Sequence, residues 1–126
     1  MDKNVIREAL ERHWRASDAN DSDLEHDIHR QGAVLEYQQS GERIRGHDNI
    51  QASRVAQPNA KRFKVQRVVG AGDLWITESV LTYDGRPSYS VSILEILDGR
   101  VARETQYFRE PFKPGASRAH LVERMG

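Results

Sequence analysis

The sequence predicts a single α+β domain in which helices cover one face of a curved antiparallel sheet. Apolar residues recur at helical spacing in the first part of the chain, whereas the second half alternates apolar and polar residues as strands do. Two Asp-Gly pairs, at positions 84–85 and 98–99, are strong hairpin signals between consecutive strands. A chain of 126 residues is long enough for one hydrophobic core but not for two, so residues 1–126 are expected to form one domain.

Three helices are predicted before the long strands begin. The first is amphipathic and ends near Ser17, and its apolar face carries Val5, Ile6, Ala9, Leu10, His13 and Trp14. Ser22 and Glu25 have the spacing of a capping box, so a short second helix is expected to start there and to end by Gly32. The third helix is expected over residues 47–56, closed by the Pro-Asn pair at 58–59.

The remaining elements are predicted to be strands. They are expected over residues 33–38, 43–45, 63–69, 74–83, 89–97 and 100–109, and a helical turn is expected over 117–124. If both Asp-Gly turns contain two residues, one face of the sheet mixes aromatic and hydroxyl side chains, as a small-molecule cavity does. A one-residue error in either turn would swap part of this assignment. The predicted inward set is Trp75, Thr77, Ser79, Leu81, Ser90, Ser92, Leu94, Arg103, Thr105, Tyr107 and Arg109.

Charge and composition exclude several function classes. Nineteen basic and nineteen acidic residues balance, which argues against nucleic acid as a partner. The absence of cysteine excludes disulfides, thiol nucleophiles and thiolate metal sites. No apolar run reaches the length of a membrane span and no signal peptide is visible, so we expect a cytoplasmic protein that does not contact membranes. A neutral protein lacks electrostatic self-repulsion, which favours burying surface in a homodimer.

Several stretches resemble the SnoaL-like branch of the nuclear transport factor 2-like superfamily. They are residues 33–46, which begin Ala-Val-Leu-Glu-Tyr, the turn at 98–101, and Glu-Thr-Gln-Tyr-Phe at 104–108. The resemblance covers nearly the whole chain in element order. It implies a cone-shaped fold, with a pocket between the concave sheet and three helices from the N-terminal half. It also implies a homodimer through the outer face of the sheet.

This superfamily includes ketosteroid isomerases, polyketide cyclases and limonene-1,2-epoxide hydrolase, and their catalytic residues can be compared with this sequence. The carboxylate base of the ketosteroid isomerases falls at Tyr37, and their oxyanion tyrosine falls at or beside His13. Their protonated acid falls near Ser92 or Ile93. In the epoxide hydrolase an aspartate follows a Tyr-Phe pair, and here Arg109 follows Tyr107 and Phe108. The other two epoxide hydrolase partners fall at Ser79 and Leu81.

The candidate catalytic residues are His13, Tyr37 and Tyr107. An imidazole on the apolar face of the first helix could serve as a general base near neutral pH, and tyrosine hydroxyls could stabilise an oxyanion. The alternatives are a core histidine bonded to a carbonyl group, and tyrosines that merely fill the mouth of the cone. The candidate ligand-binding residues are Trp14, Trp75, Ser92, Thr105 and Arg109.

Two further patterns have a structural alternative. Arg103 and Arg109 could bind a carboxylate, or they could pair with Glu36 or Glu110. His26 and His29, three residues apart on a predicted helix, form at most half of a zinc site, and no metal or other cofactor is expected.

Together these features predict a pocket for a small, largely apolar molecule with a carbonyl or hydroxyl group. If the protein is an enzyme, its chemistry is expected to be acid–base isomerisation, dehydration or cyclisation without a cofactor. The alternative is a non-catalytic ligand-binding or dimerisation module.

Overall fold

The computed structural model describes residues 3–55 and 61–125. The elements in chain order are α1 (Lys3–Asp18), α2 (Ser22–His26), β1 (His29–Tyr37), β2 (Glu42–Arg45), α3 (His47–Val55), β3 (Lys61–Ala71), β4 (Leu74–Tyr83), β5 (Arg86–Leu97) and β6 (Arg100–Arg109), followed by a 3₁₀ turn (Ala116–Arg118).

The strands form one open, six-stranded sheet in the order β2-β1-β6-β5-β4-β3. Strands β3 to β6 make an antiparallel meander, and β1 joins β6 in parallel, although the sequence predicted an antiparallel sheet. The three helices come from the first half of the chain. Helices α1 and α3 pack on the sheet through two buried apolar clusters, and α2 packs against α1 and α3. The predicted α+β fold class is therefore confirmed.

The larger apolar cluster lies between α1 and the meander. Residues Ile6, Leu10 and Trp14 repeat at helical spacing and are buried against the sheet. The ring centroids of Trp14 and Phe63 are 5.5 Å apart, which fixes α1 against β3. The smaller cluster joins α3 to β1 through Ala33, Leu35 and Ile50. The two clusters leave a polar interior between them.

The predicted register of β4 with β5 matches the structure, whereas that of β6 is shifted by one residue. Trp75 pairs with Leu94, but Ile96 pairs with Val101 while Glu95 pairs with Arg103. Ala102 is thus an extra residue in β6 and forms a β-bulge. After the bulge, the side chains of β6 point to the opposite face of the sheet from the one predicted. Consequently Glu104, Gln106 and Phe108 point inward. The predicted inward placement of Arg103, Thr105, Tyr107 and Arg109 is wrong.

Several predicted boundaries also differ. Asp21, not Ser22, caps α2, because its carboxylate accepts a hydrogen bond from the backbone N–H of Leu24 at 3.2 Å. Strand β1 begins at His29, four residues earlier than predicted. The end of the third predicted helix and its Pro-Asn stop lie outside the described residues. In the C-terminal segment, three residues form a 3₁₀ turn where a longer helical turn was expected.

The described helices are too short or too polar to cross a bilayer.

Replacing Gly70 by Ala is expected to destabilise the fold. An added Cβ would lie 2.5 Å from the carbonyl oxygen of Leu74 and 2.7 Å from the Cα of the buried Trp75, so the β3–β4 hairpin would have to shift. Overpacking of this kind costs about 1–3 kcal/mol. Urea unfolding of the variant measures this loss. Gly32→Ala is the matched control, because nothing lies within 4 Å of its Cβ, and an equal loss there would contradict the packing explanation.

Candidate functional site

A cavity of about 890 Å³ lies at the end of the sheet where β1, β2, α3 and the β4–β5 hairpin meet. Tyr37, Tyr83 and Phe108 give it aromatic walls, and Arg54 is a buried cation in its lining. Its volume falls in the range of small-molecule sites. The other lining residues are Glu42, Ile44, Ser53, Asp84, Arg86, Pro87, Ser88 and Glu110.

Arg54 reaches the cavity because it follows Ile50 by one turn on the buried face of α3. Its Nη2 donates a hydrogen bond to Oε1 of Gln106 at 3.3 Å, and its Nε lies 3.9 Å from Oε2 of Glu25. Burial alone would lower the pKa of the guanidinium, but the nearby Tyr37, Glu25 and Glu104 raise it. The cavity therefore contains a permanent positive charge.

Tyr37 stands at the end of β1 beside this cation. Burial raises the pKa of its hydroxyl, although Arg54 acts in the opposite direction. The hydroxyl is thus protonated at neutral pH and can donate a hydrogen bond. The ring of Tyr37 is 5.9 Å from that of Phe108, so the two rings form one aromatic wall.

Glu25 lies next to Arg54, away from solvent. Its carboxylate accepts a hydrogen bond from Oγ of Ser17 at 2.8 Å, and Nζ of Lys61 is 3.6 Å from its other oxygen. Burial would raise the pKa of Glu25, yet the charges of Arg54 and Lys61 lower it. The carboxylate therefore stays ionised within the protein and holds the two cations in place.

A chain of hydrogen bonds leads from Arg54 into the sheet. Nε2 of Gln106 donates to Oε2 of Glu104 at 2.8 Å and to Oγ of Ser92 at 3.0 Å. Oε1 of Glu104 accepts a hydrogen bond from Nε2 of His29 at 3.0 Å. Burial would raise the pKa of Glu104, but the hydrogen bond from His29 helps to bring it down to about 2. This carboxylate fixes the orientation of the His29 ring.

His13 lies beside His29, with ring centroids 5.6 Å apart. Its Nδ1 donates a short hydrogen bond to the backbone carbonyl of Glu25, which leaves Nε2 as the unprotonated nitrogen. Burial, and the neighbouring His29, lower the pKa of His13 to about 4. Within residues 3–55 and 61–125, Nε2 of His13 and Nδ1 of His29 have no hydrogen-bond partner. These two imidazole nitrogens thus lie in the buried interior, outside the lining of the cavity.

The structure separates the residues that the sequence proposed as a site. Tyr37 lines the large cavity, whereas His13, Trp14, Trp75 and Ser92 lie in the buried interior. Nε1 of Trp14 donates to Oγ1 of Thr77 at 3.1 Å, and Nε1 of Trp75 donates to the carbonyl of Gly72 at 3.0 Å.

The remaining three proposed residues lie on the other side of the sheet. Because of the bulge at Ala102, Thr105, Tyr107 and Arg109 are on the outer face, and the guanidinium of Arg109 stacks on the ring of Phe112 at 5.4 Å. The wrong face assignment for β6 explains this separation.

The sequence did not predict four residues of the site, which are Arg54, Glu25, Glu104 and Gln106. The position of Arg54 one turn after Ile50 was a usable signal, because it placed a cation on an apolar face. Glu104 and Gln106 were predicted to point outward, because the sequence did not indicate the bulge at Ala102.

The histidine pair proposed as half of a zinc site does not lie on one helix. His26 ends α2 and His29 begins β1, and both side chains are buried with their rings stacked 5.6 Å apart. Among the described residues, no group of three or more histidine, aspartate or glutamate side chains is arranged to hold a metal ion.

The fold matches proteins of known structure. A nuclear transport factor 2-like protein of Burkholderia xenovorans is 49% identical, covers 98% of both chains and has a TM-score of 0.92. A candidate ketosteroid isomerase of Kribbella flavida is 24% identical over 98% of this chain and 91% of its own, with a TM-score of 0.89. A candidate polyketide cyclase of Sinorhizobium meliloti is 22% identical over 79% and 94%, with a TM-score of 0.70.

These similarities show that the chain belongs to the nuclear transport factor 2-like proteins, which confirms the resemblance found in the sequence. Neither a protein-family model nor a curated protein sequence matches the chain.

The stability of the fold is expected to decrease as the pH falls from 6.5 towards 4. In this window the unfolded chain protonates His13, whose ordinary pKa is 6.5, whereas the folded protein resists protonation until about pH 4. The unfolded state then binds more protons, so His13 contributes a slope of up to about 1.4 kcal/mol per pH unit. Urea unfolding at several pH values measures the slope.

The variant His13→Gln should have a shallower slope between pH 6.5 and 4 than the wild type. His120→Gln is the control, because His120 is exposed and should leave the slope unchanged. Equal slopes in the wild type and the His13 variant would contradict this assignment.

Proposed function

We propose that the protein binds a small, largely apolar molecule in the cavity, with a carbonyl or carboxylate oxygen of the ligand against Arg54 and Tyr37. The observation that supports this proposal is the buried guanidinium of Arg54 in the lining of a cavity of about 890 Å³. A buried cation near a half-buried hydroxyl donor favours an oxygen acceptor.

The aromatic and aliphatic side chains in the lining favour a ligand whose remaining part is apolar and ring-shaped. Tyr37, Tyr83 and Phe108 offer aromatic surface, and Ile44 and Pro87 add aliphatic surface. Arg54 is already close to Glu25, so a neutral carbonyl oxygen can accept its hydrogen bond without adding charge. A carboxylate would compete with Glu25 for the same cation.

Thermal shift with matched compounds tests this proposal. The probes are steroid-, naphthalene- and benzene-sized ketones and carboxylic acids, each paired with the hydrocarbon that lacks the oxygen. A ligand of the native state raises the melting temperature, and the oxygenated member of a pair should do so more strongly. If the hydrocarbons shift the melting temperature as much as their partners, the role of Arg54 and Tyr37 is contradicted.

Two tyrosine variants sharpen the same experiment. Tyr37→Phe should weaken binding of the best oxygenated probe roughly 2- to 10-fold, the value of one hydrogen bond. Tyr107→Phe is the matched control, because Tyr107 lies on the outer face and should not alter binding.

The buried histidines support an extension of this proposal to catalysis. His29 is oriented by Glu104 in the way that a general base is oriented by a carboxylate, and the unprotonated Nε2 of His13 lies nearby. Either nitrogen could take a proton from the carbon next to a ligand carbonyl, with the resulting negative oxygen stabilised by Arg54 and Tyr37. The proton would return to carbon in an isomerisation. The reacting end of the ligand must then pass Arg54, because neither imidazole lines the cavity.

Proton exchange tests catalysis without knowledge of the product. In D₂O, the wild type should exchange the protons next to the carbonyl of a bound ketone, measured by NMR. His13→Gln and His29→Gln should lower the exchange rate at least 100-fold while the ketone still binds. Binding without exchange in the wild type would instead support the non-catalytic ligand-binding module.

The homodimer through the outer face of the sheet stays a proposal. Val80, Val91 and Ile93 are partly buried on that face, and Tyr107 is exposed there. Glu95 and Arg103 stand opposite each other on the same face, so its charges are mixed. Sedimentation measures the oligomeric state.

A further inference from the structure

The segment that follows β6 is almost entirely exposed. Within residues 110–125 every described residue is exposed except Gly115, which is intermediate. Four large apolar side chains are among them: Phe112 is 67% exposed, Leu121 76%, Val122 51% and Met125 99%. We call residues 111–125 the C-terminal arm. A concentration of exposed apolar side chains on one short segment marks an interaction site.

The arm has local structure that its own contacts do not explain. The backbone N–H of Leu121 donates to the carbonyl of Arg118 at 2.9 Å, which closes a turn after the 3₁₀ residues. Ordering a residue costs about 1–2 kcal/mol of backbone entropy, and little apolar burial within the arm offsets it. A second surface that buries Leu121 and Val122 would supply the missing stabilisation.

The charges of the arm and of the cavity mouth are complementary. The arm has the basic residues Lys113, Arg118 and Arg124 and one acid, Glu123, for a net charge of +2. The cavity mouth has the three acids Glu42, Asp84 and Glu110 and one base, Arg86, for a net charge of −2. These four charged residues are exposed, whereas Arg54 is buried deeper in the lining. Ile44, Tyr83 and Pro87 add apolar surface to the mouth.

We propose that the arm of one copy lies across the cavity mouth of a second copy of the same chain. The arm starts at the mouth, because Glu110 lines it, but residues 111–125 are not among the residues that line their own cavity. If two copies exchanged arms, the arm of each copy would cover the cavity mouth of the other. The apolar side chains of both arms would then be buried. The equal and opposite charges of arm and mouth, on a chain with no net charge, favour pairing between copies.

Cysteine cross-linking tests the proposal directly, because the chain has no cysteine of its own. One preparation carries Val122→Cys and a second carries Glu42→Cys. When the two are mixed under mild oxidation, a disulfide-linked dimer should form in a non-reducing gel. Val122→Cys mixed with Glu8→Cys is the matched control, since Glu8 is exposed on α1 away from the mouth. An equal amount of dimer in the control mixture would overturn the proposal.

A chain that carries both Val122→Cys and Glu42→Cys distinguishes exchange between copies from closure of the arm on its own cavity. A cross-linked species of monomer mass would show that the arm closes its own mouth, which overturns the exchange.

Sedimentation of the cysteine-free chain gives an independent measurement. Arg124→Glu should raise the dimer dissociation constant about tenfold, whereas Lys64→Glu, on the exposed edge of β3, should leave it unchanged. A monomeric wild type, or a dimer that is insensitive to Arg124→Glu, would show that the arm makes no contact between copies. The second of these results would leave the outer face of the sheet as the interface.

Discussion

The carboxylate of Glu25 is the point at which the helices and the edge of the sheet are joined. Ser17 reaches it from α1, Arg54 from α3 and Lys61 from the start of β3, while Glu25 itself belongs to α2. A buried carboxylate is tolerated only when cations and hydrogen-bond donors surround it. The position of each of these elements is therefore constrained by the charge of one side chain.

This arrangement makes the stability of the fold and the chemistry of the cavity depend on the same residue. Arg54 balances Glu25 and also presents its guanidinium in the lining of the cavity. Removing one member of a buried ion pair leaves an uncompensated charge, which destabilises a protein far more than the pair itself stabilises it. A loss of binding after a substitution at Arg54 would therefore combine a lost contact with a weakened fold. Tyr37 is a better probe of the cavity because it lines the cavity and does not balance a buried charge.

The sequence predicted the class of fold and most elements because these depend on periodicity and turn residues. The apolar repeat of Ile6, Leu10 and Trp14 defined α1, and the Asp-Gly pairs defined the hairpins of the meander. The site was predicted only in part, because it depends on register. The bulge at Ala102 has no sequence signal of its own, and it places Glu104 inside and Tyr107 outside. The pairing of Arg54 with Glu25 joins two helices distant in sequence, which a local pattern cannot reveal.

The parallel junction of β1 with β6 determines when the site can form during folding. Strands β3 to β6 pair with their neighbours along the chain, so their contacts close short loops and can form early. The hydrogen bond of His29 to Glu104 crosses the parallel junction between residues 75 apart in sequence. Closing so long a loop has a large entropic cost until the meander presents a finished edge to β1. We therefore expect the meander to be the template on which the N-terminal half docks, with the buried polar chain assembled in that last step.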